Sequence, residues 1–372
     1  MRHPSVASKG WHHHHDTPAP PQAPQVTVGV DTHKDLHVAA ARDQLGRRLG
    51  TTQIPTTSAG YGDLLAWAHG LGEVRAWGVE GTGSYGAGLA RFLAAHAQHV
   101  VEVNRPDRAS RRRRGKSDPV DADAAARAVQ AGEATGIPKT ADGTVEMLRA
   151  LRAARQTAVK ARTQAINAFK ALLVTAPAEL RESLTGLPTR RLIGTTAALT
   201  PGALTTPTAA TMLAMRSLAE RYQYLDTEIG QLTEQLEMLT TRHAPLLRAR
   251  LGVGPDSAAA LLIAAGDNPT RLTSEAAFAA LCGACPVEAS SGKTVRHRLN
   301  RGGDRQANAA LYRIVLVRLR WHQPTRDYAA RRTAQGRTSR EIMRCLKRYI
   351  AREVFALLRE PGNQQSQHPT AA

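Results

Sequence analysis

The feature that most constrains this chain is a change of sequence pattern along its 372 residues. From 26 to 104, short β-prone runs alternate with turns and helix-like segments, a pattern typical of an α/β domain with some parallel strands. From 145 to 250, glycine is scarce and the apolar residues follow helical spacing. After 251 come short helices, an irregular Ser/Gly/Lys segment and many arginines. We therefore expect an α/β domain followed by mainly helical regions.

These patterns predict the domain boundaries. Residues 1–24 are expected to be a Pro-, Ala- and His-rich leader without stable structure, and 25–135 the α/β domain. A helical region is expected over 136–250, a third and mainly helical domain over 251–358, and a polar, unstructured tail over 359–372.

The helical region carries two heptad seams. They comprise Leu218, Tyr222, Leu225, Ile229, Leu232, Leu236 and Leu239 and, with smaller side chains, Leu151, Ala154, Ala158, Ala161, Ala165, Ala168 and Leu172. Two seams of this kind fit either a helical hairpin within one chain or a coiled coil between subunits. The spacing leaves both interpretations open, with a slight preference for association between subunits.

The charge balance indicates the class of partner. The chain has 50 Lys and Arg against 31 Asp and Glu, and its formal net charge of +19 favours a polyanion, above all nucleic acid. Its apolar stretches, 258–265 and 276–287, fall short of the roughly 18 residues that argue for a membrane span, so no membrane partner is expected. Three cysteines are too few for a disulfide scaffold and indicate a reducing compartment such as the cytoplasm.

Four acidic residues of the α/β domain occupy positions from which they can converge. Asp31 and Glu80 end predicted strands, whereas Asp118 and Asp121 lie three residues apart at the start of a predicted helix. Carboxylates gathered at one point need cations, and oxygen ligands suit Mg²⁺ or Mn²⁺; two such ions stabilise an in-line phosphoryl displacement. Taken in isolation, Asp118 fits helix capping better and Asp31 fits a turn.

The segment 81–86 supports a competing interpretation. It matches the Gly-x-Gly-x-x-Gly pattern of a dinucleotide-binding turn, between a predicted strand and a predicted helix. However, Asn104 stands where a ribose-binding acid is expected, and Glu80 would place a negative charge beside the pyrophosphate. An oxidoreductase is therefore the minor alternative.

Basic residues cluster in two places that favour phosphate contacts over a merely solvated surface. The first cluster leads directly into the acidic pair at 118–121, and the second surrounds a Ser-Ser-Gly segment at 290–292. We predict nucleic-acid contacts for Arg111, Arg112, Arg113, Arg114 and Lys116 in the first cluster and for Lys293, Arg296, Arg298, Arg301 and Arg305 in the second. A serine among cations can attack phosphorus, although most such triplets are only flexible loops.

The turn at 251–255, Leu-Gly-Val-Gly-Pro, precedes an Ala/Leu-rich helix and is like that of a helix-hairpin-helix. Amides at such a helix start can hold a phosphate without reading sequence. A plain turn between two helices fits the same residues equally well.

Together these motifs resemble the insertion-sequence 110 family of transposases, which are DEDD-type, RuvC-like bridge recombinases. The resemblance covers about 26–358 and rests on motifs in the same order as in the family. They are Val28-Gly-Val-Asp31-Thr-His-Lys, Val79-Glu80-Gly-Thr-Gly, Lys116-Ser-Asp118-Pro-Val-Asp121-Ala, Leu251-Gly-Val-Gly-Pro, Ala289-Ser-Ser-Gly-Lys293 and Asn300-Arg-Gly-Gly-Asp-Arg305.

The resemblance implies a fold and a site. It implies an RNase H/RuvC-like first domain in which Asp31, Glu80, Asp118 and Asp121 bind Mg²⁺, and a third domain with Ser291 as nucleophile and Ser290 as the alternative. The single Gly292 before Lys293 departs from the two glycines that many members have.

The resemblance also implies partners. The helical insertion would mediate a homodimer that assembles to a tetramer, with the RuvC-like domain of one subunit paired with the serine of another. Donor and target DNA would be base-paired to a structured non-coding guide RNA. The setting would be the nucleoid of a bacterium.

We therefore interpret the chain as a DNA transposase that cuts and rejoins DNA through a covalent phosphoserine. One alternative is a RuvC-like, metal-dependent nuclease or junction resolvase that uses water. The other is a basic nucleic-acid-binding protein without catalytic activity.

Overall fold

A computed structural model of the chain describes residues 23–103, 117–293 and 297–360. It divides into two compact units, Met1–Pro138 and Lys139–Ala372, called here the first unit and the second unit. Most of the predicted leader and tail, together with Arg111, Arg112, Arg113, Arg114, Lys116 and Arg296, lie outside the described residues.

The first unit is a five-stranded mixed sheet with helices on both faces, as predicted from its alternating pattern. Strand order is β3-β2-β1-β4-β5; β1 pairs antiparallel with β2 and parallel with β4, and β4 pairs parallel with β5. The elements are β1 (Gln25–Thr32), β2 (Leu36–Asp43), β3 (Arg48–Pro55), α1 (Ser58–Leu71), β4 (Glu73–Glu80), α2 (Ala87–Ala95), β5 (Val100–Val103) and α3 (Asp118–Gln130).

The alternation of side chains along β1 separates two buried layers. Val28 and Val30 point into a core formed with Leu64 of α1 and Leu89 of α2. The opposite face of the sheet is covered by α3, whose Ala122 packs with side chains of β2. Both faces of β1 are therefore covered, which explains its nearly continuous burial.

The second unit is mainly helical, as predicted. Its elements are α4 (Thr144–Thr175), α5 (Ala178–Leu184), α6 (Thr189–Ala197), α7 (Pro207–His243), α8 (Pro245–Arg248), α9 (Pro255–Ala265), α10 (Glu275–Leu281), β6 (Pro286–Glu288), β7 (His297–Leu299), α11 (Arg305–Trp321), α12 (Gln323–Ala334) and α13 (Ser339–Arg359). A short 3-10 turn, Pro269–Arg271, lies between α9 and α10. None of the helices in the described ranges has the length and hydrophobicity that a transmembrane span requires.

The two heptad seams pack against each other within the chain. Helices α4 and α7 run antiparallel, because Arg155 donates to Thr233 over 2.7 Å while Arg162, further along α4, pairs with Asp226, further back along α7. Small side chains such as Ala158 face this contact and are buried. The intramolecular hairpin thus accounts for the heptads, which by themselves no longer argue for a contact between subunits.

The predicted regions 136–250 and 251–358 share one core instead of forming separate domains. Leu148 of α4 and Leu236 of α7 belong to the same buried cluster as Leu261 of α9 and Ile314 of α11. The ends of the long hairpin are inserted among the later helices, so burial of apolar area joins the two segments.

An ion cluster ties three helices of this core together. Asp256, in the first turn of α9, contacts Arg152 of α4 at 3.0 Å and Arg313 of α11 at 2.7 Å. The contact between Arg152 and Asp256 is bidentate, with a second hydrogen bond of 3.3 Å. The side chain of Arg152 is only 6% exposed. The turn before α9 was predicted to resemble a helix-hairpin-helix, but α8 has a single turn and the carboxylate of Asp256 is already engaged by arginines.

Replacing Asp256 with Ala should destabilise the second unit by about 3 kcal/mol, because it leaves the buried Arg152 guanidinium without its counter-charge. The matched control is Asp226→Ala, which removes the carboxylate of a more exposed pair and should cost under about 1 kcal/mol. Denaturant unfolding of both variants measures the difference. Equal effects of the two substitutions would show that the Asp256 cluster has no special structural role.

Candidate metal centre and serine hairpin

Two glycines on neighbouring strands let α3 lie directly on the sheet. Gly29 of β1 and Gly78 of β4 face each other in the parallel register. A Cβ atom on Gly29 would lie 2.1 Å from the Ala122 carbonyl oxygen, and one on Gly78 would lie 2.9 Å from that of Ala125. Real side chains do not approach backbone so closely, so the position of α3 depends on these two glycines.

Polar contacts fix α3 along its length. Arg42 of β2 donates from Nη1 to both carboxylate oxygens of Asp123, each over 3.1 Å. At the far end of α3, the Gln130 amide donates to the backbone oxygen of Asp43 over 2.6 Å. These contacts hold the helix in one register on the sheet, and its first turn therefore reaches the strand ends.

The strand acids project toward that first turn. Asp31 and Glu80 directly follow the registered pair Val30 and Val79, and each lies two residues beyond one of the glycines, on the same face of the sheet. Both side chains are buried. The hydroxyl of Thr32 donates to the Glu80 backbone oxygen over 3.0 Å and so ties the two strand ends together.

One histidine and two of the predicted acids meet most closely. Asp31, His33 and Asp118 have one ligand atom each within 4.8 Å of one another, the one such trio of His, Cys, Asp or Glu found in 23–103, 117–293 and 297–360. Nε2 of His33 lies 3.2 Å from Asp31 and 3.5 Å from Asp118. Asp121 is buried in the same turn of α3 and close enough for its charge to act on Asp31, while Glu80 flanks the trio on β4.

His33 was not among the site residues predicted from the sequence. The spacing held a usable signal: a residue two positions after Asp31 on an extended chain points to the same side. The backbone N–H of His33 donates to Nδ1 of His37 over 3.4 Å, and the buried His37 ring stacks on Tyr61 with centroids 5.8 Å apart. Burial lowers the pKa of His37, which favours the neutral ring that can accept this hydrogen bond.

The structure corrects the capping interpretation of Asp118. Ser117 occupies the N-cap of α3 in an extended conformation, and its backbone oxygen accepts from the amides of Val120 and Asp121. Asp118 is the first helical residue, and its carboxylate faces His33. A negative charge there still benefits from the positive end of the helix dipole.

The electrostatics of Asp31 fit a divalent cation. Burial raises the pKa of Asp31, and the negative charges of Asp121 and Asp118 raise it further, whereas His33 opposes the change. Ionised acids at this point are therefore mutually unfavourable without a positive charge among them. The carboxylate oxygens are ligands that Mg²⁺ and Mn²⁺ prefer, whereas the imidazole nitrogen of His33 is not a usual ligand of Mg²⁺.

Two of the three glycines at 81–86 are accounted for by a turn that closes on itself, whereas a Cβ on Gly83 would meet open space. Gly81 has a φ of +60°, and its backbone oxygen accepts from the amides of Ser84 and Gly86. A Cβ on Gly86 would lie 2.5 Å from the Glu80 oxygen. These contacts explain Gly81 and Gly86 without a dinucleotide.

The predicted nucleophile lies in the second unit, in the connection between β6 and β7, called here the serine hairpin. The two strands pair antiparallel, with Val287 opposite Arg298. Ser291 is exposed, Ser290 is half-buried, and Gly292 has a φ of +55°, a left-handed conformation that favours glycine. The acids and Ser291 therefore belong to different units.

The remaining predicted basic residues lie around this hairpin. Lys293, Arg298, Arg301 and Arg305 are all exposed. The Asn300–Arg305 motif has a structural reason as well: a Cβ on Gly303 would lie 2.1 Å from the amide nitrogen of Gly283, and Asp304 caps α11 by accepting from the amides of Gln306 and Ala307.

The fold and the site define a class: an α/β domain with a carboxylate-rich centre suited to divalent cations, joined to a helical unit that presents a serine. A family model described as a transposase matches residues 28–176, and a second, described as the transposase IS116/IS110/IS902 family, matches 244–330. The chain belongs to this IS110-type family of transposases.

Two insertion-element proteins are similar to part of the chain. One is the IS110 uncharacterized 43.6 kDa protein of Streptomyces coelicolor, 30% identical over 41% of this chain and 38% of its own length. The other is the IS900 uncharacterized 42 kDa protein of Mycobacterium paratuberculosis, 29% identical over 44% of this chain and 41% of its own length. The chain thus spans less than half the length of these relatives.

Replacing Gly29 with Ala should displace α3, cost about 1–3 kcal/mol through overpacking, and separate Asp118 from Asp31. The expected result is a lower unfolding midpoint together with loss of stabilisation by Mg²⁺. Gly62→Ala is the control: its Cβ would meet open space within α1, so helix propensity should stabilise the protein by about 1 kcal/mol. Mg²⁺-dependent stabilisation that survives in Gly29→Ala would contradict this account of the site.

Replacing Asp31 with Asn should stabilise the metal-free protein and abolish its stabilisation by Mg²⁺. Because the pKa of Asp31 is raised in the folded protein, folding favours the protonated carboxyl. The wild-type protein therefore loses stability as the pH rises above 3.8, the ordinary pKa of an Asp carboxyl. The variant has no titrating carboxyl at this position and should not show this loss. Thermal unfolding at several pH values, with and without Mg²⁺, measures both effects. The exposed Asp63→Asn serves as control, and equal Mg²⁺ stabilisation of Asp31→Asn would exclude Asp31 as a ligand.

Proposed function

We propose that this protein is a DNA transposase that cuts and rejoins DNA through a covalent bond between Ser291 and a DNA phosphate. The observation that carries the proposal is the meeting of Asp31 and Asp118, from separate elements, at one end of a sheet with Asp121 and Glu80 beside them. Family membership supports the class of reaction, and an RNase H/RuvC-like assignment of the first unit is consistent with the mixed sheet.

The four acids would hold Mg²⁺, and two ions fit the number of carboxylates. When bound, the ions supply positive charge that stabilises the phosphoryl oxygens during displacement. The residues of the chain do the rest: Asp31 and Glu80 fix the centre to the sheet, and Asp118 and Asp121 complete it from α3. His33 is oriented between two of these carboxylates by its backbone contact with His37.

The serine reaction is a transfer rather than a hydrolysis. The Oγ atom of Ser291 forms a bond to phosphorus, its proton passes to a base or to water, and the departing DNA oxygen takes a proton as its bond to phosphorus breaks. The phosphoserine ester keeps the energy of the broken bond, so an incoming DNA hydroxyl can reverse the reaction and release Ser291. This sequence suits strand exchange.

The family resemblance implies, and we propose, that one subunit supplies the acids and another the serine, in a homodimer that assembles to a tetramer. Donor and target DNA are the proposed substrates. The family resemblance adds a structured guide RNA, which the net charge of +19 can accommodate.

A metal-dependent nuclease that uses water is the second candidate. It is favoured by one observation: all four acids lie in the first unit, so a metal centre needs no residue of the serine hairpin. A binding protein without catalytic activity is the third, and its nucleic-acid binding should depend on salt but not on Mg²⁺.

Incubation of the full chain and its co-purifying RNA with labelled DNA and Mg²⁺ separates these candidates. We expect a protein-linked DNA band that is lost in Ser291→Ala, in Asp31→Asn and without Mg²⁺, and is kept in the matched control Ser290→Ala. Continued nicking by Ser291→Ala would identify a nuclease that uses water. Activity that is indifferent to Asp31→Asn would overturn the metal centre itself.

A further inference from the structure

The second unit contains a cavity between the serine hairpin and the last two helices, called here the basic cavity. Its volume is about 970 Å³. One wall is the serine hairpin, with Arg298 and Leu299; the other is formed by α12 and α13. Most of the α12–α13 wall lies beyond 330, where the family match ends. No basic residue of this wall figured among the nucleic-acid contacts predicted from the sequence.

Positive charge dominates the lining. The cations are Arg298, Arg332, Arg337, Arg344, Lys347 and Arg348, and among the described residues the one carboxylate of the lining is Glu341. Glu341 pairs with Arg337, and Arg348 pairs with Glu275. Within the described ranges Arg298, Arg332 and Arg344 form no ion pair, so the cavity carries an excess of uncompensated cations.

A buried lysine adds to this excess. Lys347 is only 7% exposed, and its Nζ atom donates to the side-chain oxygen of Asn308 over 2.9 Å. Burial lowers the pKa of Lys347, because a charged group is disfavoured away from water. The neighbouring Arg344 lowers it further, because two positive charges repel each other. An anion in the cavity would relieve the repulsion between these two side chains.

The strands of the hairpin wall are short, and one of them is exposed along its length. Each strand has three residues, and Arg298, His297 and Leu299 of β7 are all exposed. A two-stranded hairpin is at best marginally stable by itself, and the cavity separates part of this one from the helices. A ligand that contacts Arg298 on one wall and Arg344 on the other would therefore fix the hairpin that carries Ser291.

The lining also offers an aromatic surface. Tyr349 is 50% exposed, and its ring is held edge-on by Tyr328 with centroids 5.5 Å apart. Sites for single-stranded nucleic acid typically combine arginines, which contact the phosphate backbone, with an aromatic ring on which a base can stack. In a duplex the bases are already stacked and cannot use such a ring.

We propose that the basic cavity binds an unpaired nucleic-acid strand, with backbone phosphates on Arg298 and Arg344 and a base on Tyr349, and that this strand orders the serine hairpin. The inference deepens the function proposed above and rests on it only for the role of Ser291. Binding itself requires neither the acids nor the serine, so it can be measured separately.

The test measures binding of the full chain to labelled 15-nucleotide probes by anisotropy, in EDTA and over a range of KCl concentrations. The probes are single-stranded DNA, single-stranded RNA and duplex DNA. For a single-stranded probe, Arg298→Gln and Arg344→Gln should each reduce the salt slope by about 0.7, as expected for one lost phosphate contact. Tyr349→Leu should weaken single-strand binding by about tenfold and leave duplex binding unchanged.

Two further variants complete the test: one should change binding in the opposite direction, and the other is a control. Glu341→Gln should tighten single-strand binding, because it removes the negative charge of the lining, while its remaining oxygen can still accept from the Thr338 amide at the start of α13. Arg340→Gln changes an exposed arginine on the same helix that does not line the cavity, and should leave the slope as in the wild type.

These measurements test whether the basic cavity binds a strand, and they do not depend on the cutting and rejoining of DNA. A response confined to the DNA or to the RNA single strand identifies which strand occupies the cavity. The proposal would be overturned if the salt slopes of Arg298→Gln and Arg344→Gln equalled that of the wild type or that of Arg340→Gln. It would also be overturned if these substitutions changed the binding of duplex DNA alone. The same measurements in a Ser291→Ala background show whether binding survives when covalent linkage is lost, so failure of one proposal does not imply failure of the other.

Discussion

The close contact between α3 and the two glycines of the sheet is the constraint on which the candidate metal centre depends. Because Gly29 and Gly78 lack side chains, the helix backbone approaches the strands directly and brings its first turn to the ends of β1 and β4. Two acids on strands and two on a helix then share one region, although they are far apart in sequence. The cost of gathering like charges there is what makes the region suitable for divalent cations.

Part of this site could be predicted from the sequence. Asp31 and Glu80 end strands that read clearly as β structure, and the i, i+3 spacing of Asp118 and Asp121 places both on one side of a helix. The sequence could not decide whether Asp118 caps the helix, because Ser117 and Asp118 are both good capping residues. The role of His33 was missed, since its proximity to Asp118 depends on how α3 packs.

The second unit shows the limits of local patterns more strongly. The heptads of α4 and α7 predicted long helices, but whether they pair within or between chains depends on the connection through α5 and α6. The boundary expected near 250 is bridged by Asp256, whose arginine partners come from both sides of it. The basic cavity is likewise assembled from the serine hairpin and α13, which are distant in sequence, so charge counts alone could not place it.

In the function proposed above, the acids of the first unit and the serine of the second act on the same phosphate. The most direct measurement is mass spectrometry of the peptide that becomes linked to nucleotide when the protein is incubated with DNA and Mg²⁺. We expect nucleotide on the peptide that contains Ser291, and none when Glu80→Gln is used in place of the wild-type protein. Nucleotide linked to a different residue, or linkage to Ser291 that persists in Glu80→Gln, would contradict it.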